Sequence, residues 1–226
     1  MSTIYNAGID EAGRGPVLGP LVIAIVVLNP QEAEQLQNSG VTDSKKLSEK
    51  KRTELVPHIL AHSTHADTQI IDAHNIDTYL SSGTNLNMVE AIHSAKLCDS
   101  IPQAVQAHTR LMIDLPSKNK AQYLGAITKH SSCITKLARV DAEFKADVNH
   151  IAVSAASILA KVTRDTIIKE LAEKIGLPLG SGYPSDPLTK AFIEKYATTY
   201  PHICRQSWES IKRLHRTNSQ QTLSDL

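Results

Sequence analysis

The feature that most constrains this chain is its start, from Ile4 to Leu28. An apolar segment, Ile4 to Ile9, runs into two adjacent carboxylates, Asp10 and Glu11. A turn holding Gly13, Arg14, Gly15 and Pro16 follows, and then a second apolar run, Leu21 to Leu28, rich in Val and Ile. This order predicts strand, acidic pair, glycine-rich turn, strand. Two neighbouring acids at a strand end repel each other unless a positive charge sits between them. A hard divalent cation such as Mg²⁺ or Mn²⁺ takes carboxylate oxygens readily. A solvated acidic turn is the alternative, and only further acids elsewhere in the chain can decide between the two.

Composition narrows the class. The 226 residues suffice for one large domain or a domain with an appendage, and 41% of them are hydrophobic. Aromatics are 4%, so the core has to be aliphatic. A formal net charge of +1 excludes a grossly basic nucleic-acid coat, and any basic surface has to be local. Cys98, Cys133 and Cys204 lie far apart with no Cys-x-x-Cys, which argues against a zinc ribbon or a disulfide framework and fits the reducing cytoplasm. The run from Leu18 to Leu28 is too short to span a membrane and follows charged residues without a cleavage site, so no leader is expected.

Along the chain, Gln31 to Gln37 suits a short helix. Ser48 is a candidate N-cap for a helix whose apolar face is Leu55, Val56, Ile59 and Leu60. Lys45 and Lys46 stand at the entrance to that helix, where they suit either a phosphate contact or an ordinary solvated start. Strands are expected over Thr64 to Asp72, Thr109 to Asp114 and Cys133 to Val140. Helices are expected over Ala73 to Leu80, Leu86 to Cys98, Lys120 to Thr128, Val148 to Ile175 and Leu188 to Tyr200, with a last one from Ser207 to Leu214. On the long helix, Ser154, Ser157, Lys161 and Arg164 recur at steps of three, four and three. They form one polar stripe, suited to a sugar–phosphate backbone or to a helix rim. The histidines, His58 and His62 among them, show no metal-ligand spacing and are expected on the surface.

Four acids stand at strand ends or a helix start: Asp10, Glu11, Asp114 and Asp147. Such positions along one edge of an α/β sheet are where sites are built, and four carboxylates can hold two divalent ions that activate water at a phosphodiester. Asp43, Asp72, Asp165 and Asp186 compete for the same role. A nucleotide-binding loop at Gly13, Gly15 and Gly19 is disfavoured. No Gly-Lys-Ser/Thr follows, and Pro16 lacks an N–H that a phosphate cradle would use.

Taken together, these segments resemble ribonuclease HII, the type 2 ribonuclease H, in its archaeal-like single-chain form. The matching stretches are Gly8 to Pro16, Asp43 to Leu47, Asn85 to Asn87, Ile113-Asp114, Lys145 to Asp147, Ser154 to Lys161, Thr163 to Asp165 and Gly180 to Pro187, in the family's order over nearly the whole chain. Phe144 departs from the family, where a histidine is frequent. The resemblance implies an α/β ribonuclease H-like fold, a mixed five-stranded sheet flanked by helices, with a helical C-terminal part. It implies a core over 1–175, a part completing the substrate groove over 176–216 and a flexible tail over 217–226.

It also implies endonucleolytic hydrolysis of the RNA of RNA/DNA hybrids, and incision 5′ of single ribonucleotides embedded in duplex DNA. Both reactions would use Mg²⁺ or Mn²⁺ and leave 3′-hydroxyl and 5′-phosphate ends. Asp10, Glu11, Asp114 and Asp147 match the catalytic acids and metal ligands. Gly13, Arg14 and Gly15 match the turn that reads the 2′-hydroxyl, the one group that separates RNA from DNA at a position. Tyr183 matches the tyrosine that packs on the sugar at the junction. Lys45, Lys46, Ser154, Ser157, Lys161 and Arg164 would contact the substrate. A non-catalytic hybrid-binding subunit would be expected to lack one of the four acids, and all are present. Gln220, Leu223 and Leu226 have the spacing of the box with which family members dock on the replication sliding clamp. The terminal aromatic pair is missing, so binding would be weak, and a plain tail fits as well. The expected state is a monomer with no membrane partner.

Overall fold

The computed structural model describes residues 3–214 and 216. Five strands form one sheet: β1 Tyr5–Ala12, β2 Leu21–Leu28, β3 His65–Ile71, β4 Thr109–Asp114 and β5 Arg139–Glu143, in the order β3-β2-β1-β4-β5. β1 pairs antiparallel with β2, and parallel with β4, which pairs parallel with β5. The expected mixed five-stranded sheet is therefore present. Every residue of β2 is buried, which explains why its sequence is a continuous apolar run rather than an alternating one.

The helices are α1 Pro30–Asn38, α2 Glu49–Ala61, α3 Ala73–Ser81, α4 Leu86–Asp99, α5 Gln103–Gln106, α6 Lys120–His130, α7 Ala146–Asn149, α8 Ile151–Ile175 and α9 Pro187–Tyr196. Their starts follow the capping logic of the sequence. Asn29 and Glu32 form a reciprocal capping box on α1, and Ser48 accepts from Lys51 N–H at α2. Two of the competing acids are spent the same way: Asp72 caps α3 and Asp186 caps α9. Asp43 caps the 3₁₀ turn Ser44–Lys46, and Asp165 lies 3.6 Å from Arg164.

Three elements differ from the sequence expectation by three residues or more. The strand expected over Cys133 to Val140 starts only at Arg139. Asp99 Oδ1 gathers the Ser131 hydroxyl and the Ser132 and Cys133 N–H groups, and a 3₁₀ turn Ile134–Lys136 follows. The long helix starts at Ile151, after the separate short α7 and an extended His150. α9 stops at Tyr196, and Tyr200 lies beyond its end.

Contacts divide the chain into two compact units. The first comprises the residues up to Ala12, Val22–Ile70 and Leu86–Thr163. The second comprises Gly13–Leu21, Ile71–Asn85 and the chain from Arg164 onward. In the first unit, Gly8 of β1 is where α8 meets the sheet. A Cβ there would stand 2.2 Å from Val153 N and 2.3 Å from the Ala152 carbonyl carbon, so only glycine permits this approach. The second unit has its own core of Val17, Leu18, Ile168, Leu179, Phe192, Ile193, Ile203, Cys204 and Ile211. Leu18 forms an isolated antiparallel bridge with Cys204 there. No described helix is long and apolar enough to cross a membrane.

Candidate active site

β1, β4 and β5 run parallel, and their C-terminal ends carry acids: Asp10, Asp114 and Glu143. Asp114 and Glu143 are direct register partners. This edge is where α/β sheets place ligands. α7 brings Asp147 to the same group. Asp10 is 5% exposed and Asp147 is 1% exposed. Carboxylates buried to that degree cost free energy unless hydrogen bonds or positive charge compensate.

The chain supplies part of that compensation. The Asp10 Oδ1 atom accepts from the Glu11 N–H at 2.7 Å, and the Ser157 hydroxyl also bonds to Asp10. Ser157 Oγ lies 2.9 Å from Ser44 Oγ, and Arg52 fixes the Ser44 turn by donating to the carbonyls of Ser44 and Leu47. Asp114 Oδ1 accepts from Ala146 N–H at 2.9 Å. That bond follows from Lys145, which adopts a left-handed conformation at φ 59° and turns the chain from β5 into α7. Lys45 Nζ stands 3.3 Å from Asp147 Oδ2, while Asp147 Oδ1 is buried without a hydrogen-bond partner.

The remaining deficit shows in the proton affinities. Burial, and then the adjacent Glu11, push the Asp10 carboxyl well above the ordinary carboxylate range, with Asp114 adding to the effect. Burial raises Asp114 as well; the Ala146 N–H works against this and the Asp147 charge works with it. Burial opposes the Lys45 charge, but Asp147 and Asp10 outweigh it and raise the ammonium. Asp10, Glu11, Asp114, Asp147 and Lys45 thus share one field. Among the described residues, no three His, Cys, Asp or Glu side chains are grouped so that they could hold a metal ion as they stand.

Burial and hydrogen bonding divide the residues expected at the substrate. Ser154 is buried and donates to the carbonyls of Asp147 at 2.6 Å and His150 at 3.2 Å, so it braces the α7–α8 junction. Ser157 is buried and orients Asp10. Arg164 is 1% exposed, and its guanidinium donates to Leu18 O and Ser181 O. Lys46 is exposed, and Lys161 is half-buried on α8. Gln220, Leu223 and Leu226 lie outside the described residues.

Sequence reasoning passed over Glu143, which His150 Nε2 meets at 3.0 Å; a strand ending on an acid was the available signal. It also passed over the Ser44–Ser157 contact, whose partners are 113 residues apart. The histidines are not uniformly on the surface either, since His93 is 7% exposed.

In the second unit, Gly13 has φ +90°, and a Cβ there would stand 2.5 Å from Arg164 Cδ and from Pro20 O, so the turn requires glycine. A Cβ on Gly15 would stand 3.5 Å from the Tyr183 ring. That ring is 40% exposed and has the Arg164 guanidinium 5.8 Å from its centroid. The Tyr183 loop is held by Asp186, which accepts from Ser181 N–H, and by Thr189 Oγ1, which accepts from Gly182 N–H and donates to Leu179 O. The carbonyl of Gly182 in turn accepts from the N–H groups of Val17 and Leu18.

Comparison with known proteins places the chain in a family. The family model for ribonuclease HII matches residues 7–211. A ribonuclease HII of Methanococcus maripaludis is 41% identical over 92% of this chain and 85% of its own length. Among solved structures, the ribonuclease H2 of Pyrococcus horikoshii matches with a TM-score of 0.83 at 35% identity, covering 95% of this chain and 98% of that one. The ribonuclease HII of Archaeoglobus fulgidus, solved in complex with PCNA, matches with a TM-score of 0.78 at 33% identity, covering 92% and 96%. The chain belongs to the ribonuclease HII family, and is accordingly a hydrolase, an endonuclease with ribonuclease H activity on RNA/DNA hybrids.

Proposed function

We propose that this enzyme also incises duplex DNA on the 5′ side of a single embedded ribonucleotide, and that both reactions use two divalent ions, Mg²⁺ or Mn²⁺, held by Asp10, Glu11, Asp114 and Asp147. The observation that carries this is the charge imbalance at the sheet edge. Asp10 is raised by burial and then by Glu11, Asp114 by burial and by Asp147, and Asp147 keeps one buried oxygen without a partner. Hard carboxylate oxygens with unmet negative charge fit a hard dication. When bound, the ions would activate water and stabilise the leaving oxygen of the phosphodiester.

The chain's own residues have separate tasks in this reading. Ser157 and the Glu11 N–H fix the Asp10 carboxylate, and the Ala146 N–H fixes Asp114. Lys45 holds Asp147 and, with Lys46 and Lys161, supplies positive charge for phosphates, a contribution to affinity without sequence preference. The Gly13-Arg14-Gly15 turn, beginning three residues after Asp10, reads the 2′-hydroxyl, and exposed Tyr183 offers its ring to the sugar at the junction. Products carry 3′-hydroxyl and 5′-phosphate ends. The tail residues Gln220, Leu223 and Leu226 are proposed to dock weakly on a sliding clamp, a partner that the Archaeoglobus relative has in its solved complex. The three free, buried cysteines support a cytoplasmic setting.

The test uses one DNA duplex with a single ribonucleotide, incubated with Mg²⁺, Mn²⁺ or chelator. The wild-type protein is expected to cut 5′ of the ribonucleotide only with metal, and Asp10→Asn to bind the duplex without cutting it. Cutting at the wild-type rate by Asp10→Asn, or cutting in chelator, would overturn the two-ion assignment.

A further inference from the structure

Arg205 is completely buried. Its Nε donates to Gly19 O at 3.0 Å, its Nη1 to Arg14 O at 3.0 Å and its Nη2 to Gly13 O at 2.6 Å. Trp208 lies against the guanidinium, with the Arg205 Cζ 4.8 Å from its ring centroid, and its Nε1 donates to Gly15 O at 3.1 Å. Two side chains from the far end of the sequence therefore tie down four carbonyls of the turn. Burying a guanidinium is expensive, and an apolar side chain of similar volume often serves stability as well or better. What a planar fork of N–H donors supplies and an apolar residue cannot is a fixed direction for each peptide it bonds.

That direction has a chemical consequence. A peptide is planar and trans, so a carbonyl turned toward Arg205 turns the next residue's N–H the opposite way. Gly13 O and Arg14 O face Arg205; the N–H of Gly15, the exposed residue of the turn, therefore points away from it. Gly15 O faces Trp208, and the residue after it is Pro16, which has no N–H to redirect. Glycine peptides flip easily, and an unbraced Gly-Arg-Gly turn could offer carbonyl or N–H edges alike.

We propose that Arg205 and Trp208 are positioning residues for substrate discrimination: by holding the carbonyls of Gly13, Arg14 and Gly15 inward, they present a donor edge, the Gly15 N–H included, to the 2′-hydroxyl oxygen of the ribose. This rests on the assignment of the turn to the 2′-hydroxyl given above. The site accepts a ribose because its hydroxyl takes the donated hydrogen bond. It rejects a deoxyribose because the fixed donor is then left without an acceptor, and the turn cannot flip to relieve it.

The experiment measures binding in chelator, so that nothing is cut, with the full-length protein and two duplexes of identical sequence, one all-DNA and one with a single ribonucleotide. Fluorescence anisotropy gives the ratio of the two Kd values for wild type, Trp208→Phe and Arg205→Lys. Trp208→Phe keeps the ring on Arg205 and removes the donor to Gly15 O; Arg205→Lys keeps the charge and loses the fork. The preference for the ribonucleotide duplex is expected to fall roughly fivefold to tenfold in each variant, the equilibrium equivalent of about one hydrogen bond, with all-DNA affinity unchanged or raised as the freed turn relieves its unpaired donor. A merely structural role would lower both affinities together or the folded fraction alone, and leave the ratio where it was; that result overturns the proposal. If Arg205→Lys does not fold, Trp208→Phe decides alone. If the wild type itself binds both duplexes equally, the assignment of the turn to the 2′-hydroxyl fails, and the brace falls with it.

Discussion

Replacing Lys45 by Met tests whether the active-site lysine competes with a cation for Asp147. Met keeps most of the stem and removes the ammonium, which stands 3.3 Å from a carboxylate oxygen whose side chain is only 1% exposed. At that separation a unit charge pair is worth about 1 kcal/mol in water and about 5 kcal/mol at an effective dielectric near 20. The Lys45 side chain is 76% exposed, so solvent screening places the pair near the lower limit, about 1–2 kcal/mol. In chelator, Lys45→Met should therefore melt about 2–8 °C below wild type, given about 2–4 °C per kcal/mol for a chain of this size. Addition of Mn²⁺ without nucleic acid should reverse the order of effects. The variant has no ammonium to displace, so its affinity for the ion rises roughly tenfold, the equivalent of about 1.4 kcal/mol, and its melting temperature gains more than that of the wild type. Scanning calorimetry over a Mn²⁺ titration, with titration calorimetry for affinity, reads both quantities. Equal metal-induced gains and equal affinities in the two proteins would refute the competition, because they would show that the Lys45 charge and the ion do not share Asp147.

Three further outcomes follow from particular contacts. Ser157→Ala removes the hydroxyl between Ser44 and Asp10; kcat should fall roughly tenfold to a hundredfold, the worth of one hydrogen bond to a charged group, while KM and the unfolding midpoint stay near wild type. Gly8→Ala places a Cβ 2.2 Å and 2.3 Å from backbone atoms of α8, which cannot swing aside as a side chain can; denaturant unfolding should show a loss of about 3 kcal/mol or more. His93 supplies a pH dependence: burial first, and Lys96 second, lower its pKa from 6.5 to about 4. Between those values the unfolded chain takes up a proton that the folded chain refuses, so stability is complete above the unfolded pKa and declines as pH falls toward the folded one. After discounting for partial solvent access, the loss at the acid end is about 1–2 kcal/mol, and it should vanish from the difference between pH 7 and pH 4.5 unfolding midpoints in His93→Asn.

Much of the site was legible because its chemistry is written at element ends. Asp10, Glu11 and Asp114 follow apolar runs that can only be strands, and Asp147 precedes a helix, so the sheet edge collects them whatever the details of packing. The five-stranded sheet was legible for the same reason. Element boundaries near Cys133 and Val148 were not, because they depend on Asp99 collecting N–H groups more than thirty residues away, and on Lys145 taking a left-handed conformation. Neither feature has a local signature.

The polar stripe of α8 shows that one spacing can hold residues with different partners. Ser154, Ser157, Lys161 and Arg164 share a spacing, and a phosphate backbone would suit all four. Burial separates them. The hydrogen bonds of the buried members show what each one holds: Ser154 the start of α8, Ser157 the Asp10 carboxylate, Arg164 the Leu18 and Ser181 carbonyls. Arg164 and Arg205 extend the argument. Both are buried arginines spent on carbonyls, and each lies against an aromatic ring, Tyr183 and Trp208. A chain that needed only stability there would gain more from apolar packing than from two desolvated cations. What the cations deliver is direction, to Gly13, Arg14 and Gly19 from one and to Leu18 and Ser181 from the other. The glycines that let a turn approach a sugar closely also leave it free to flip, so the closer the approach, the more the turn depends on rigid donors behind it. That dependence is invisible in the turn's own sequence, since the donors arrive from residues 205 and 208.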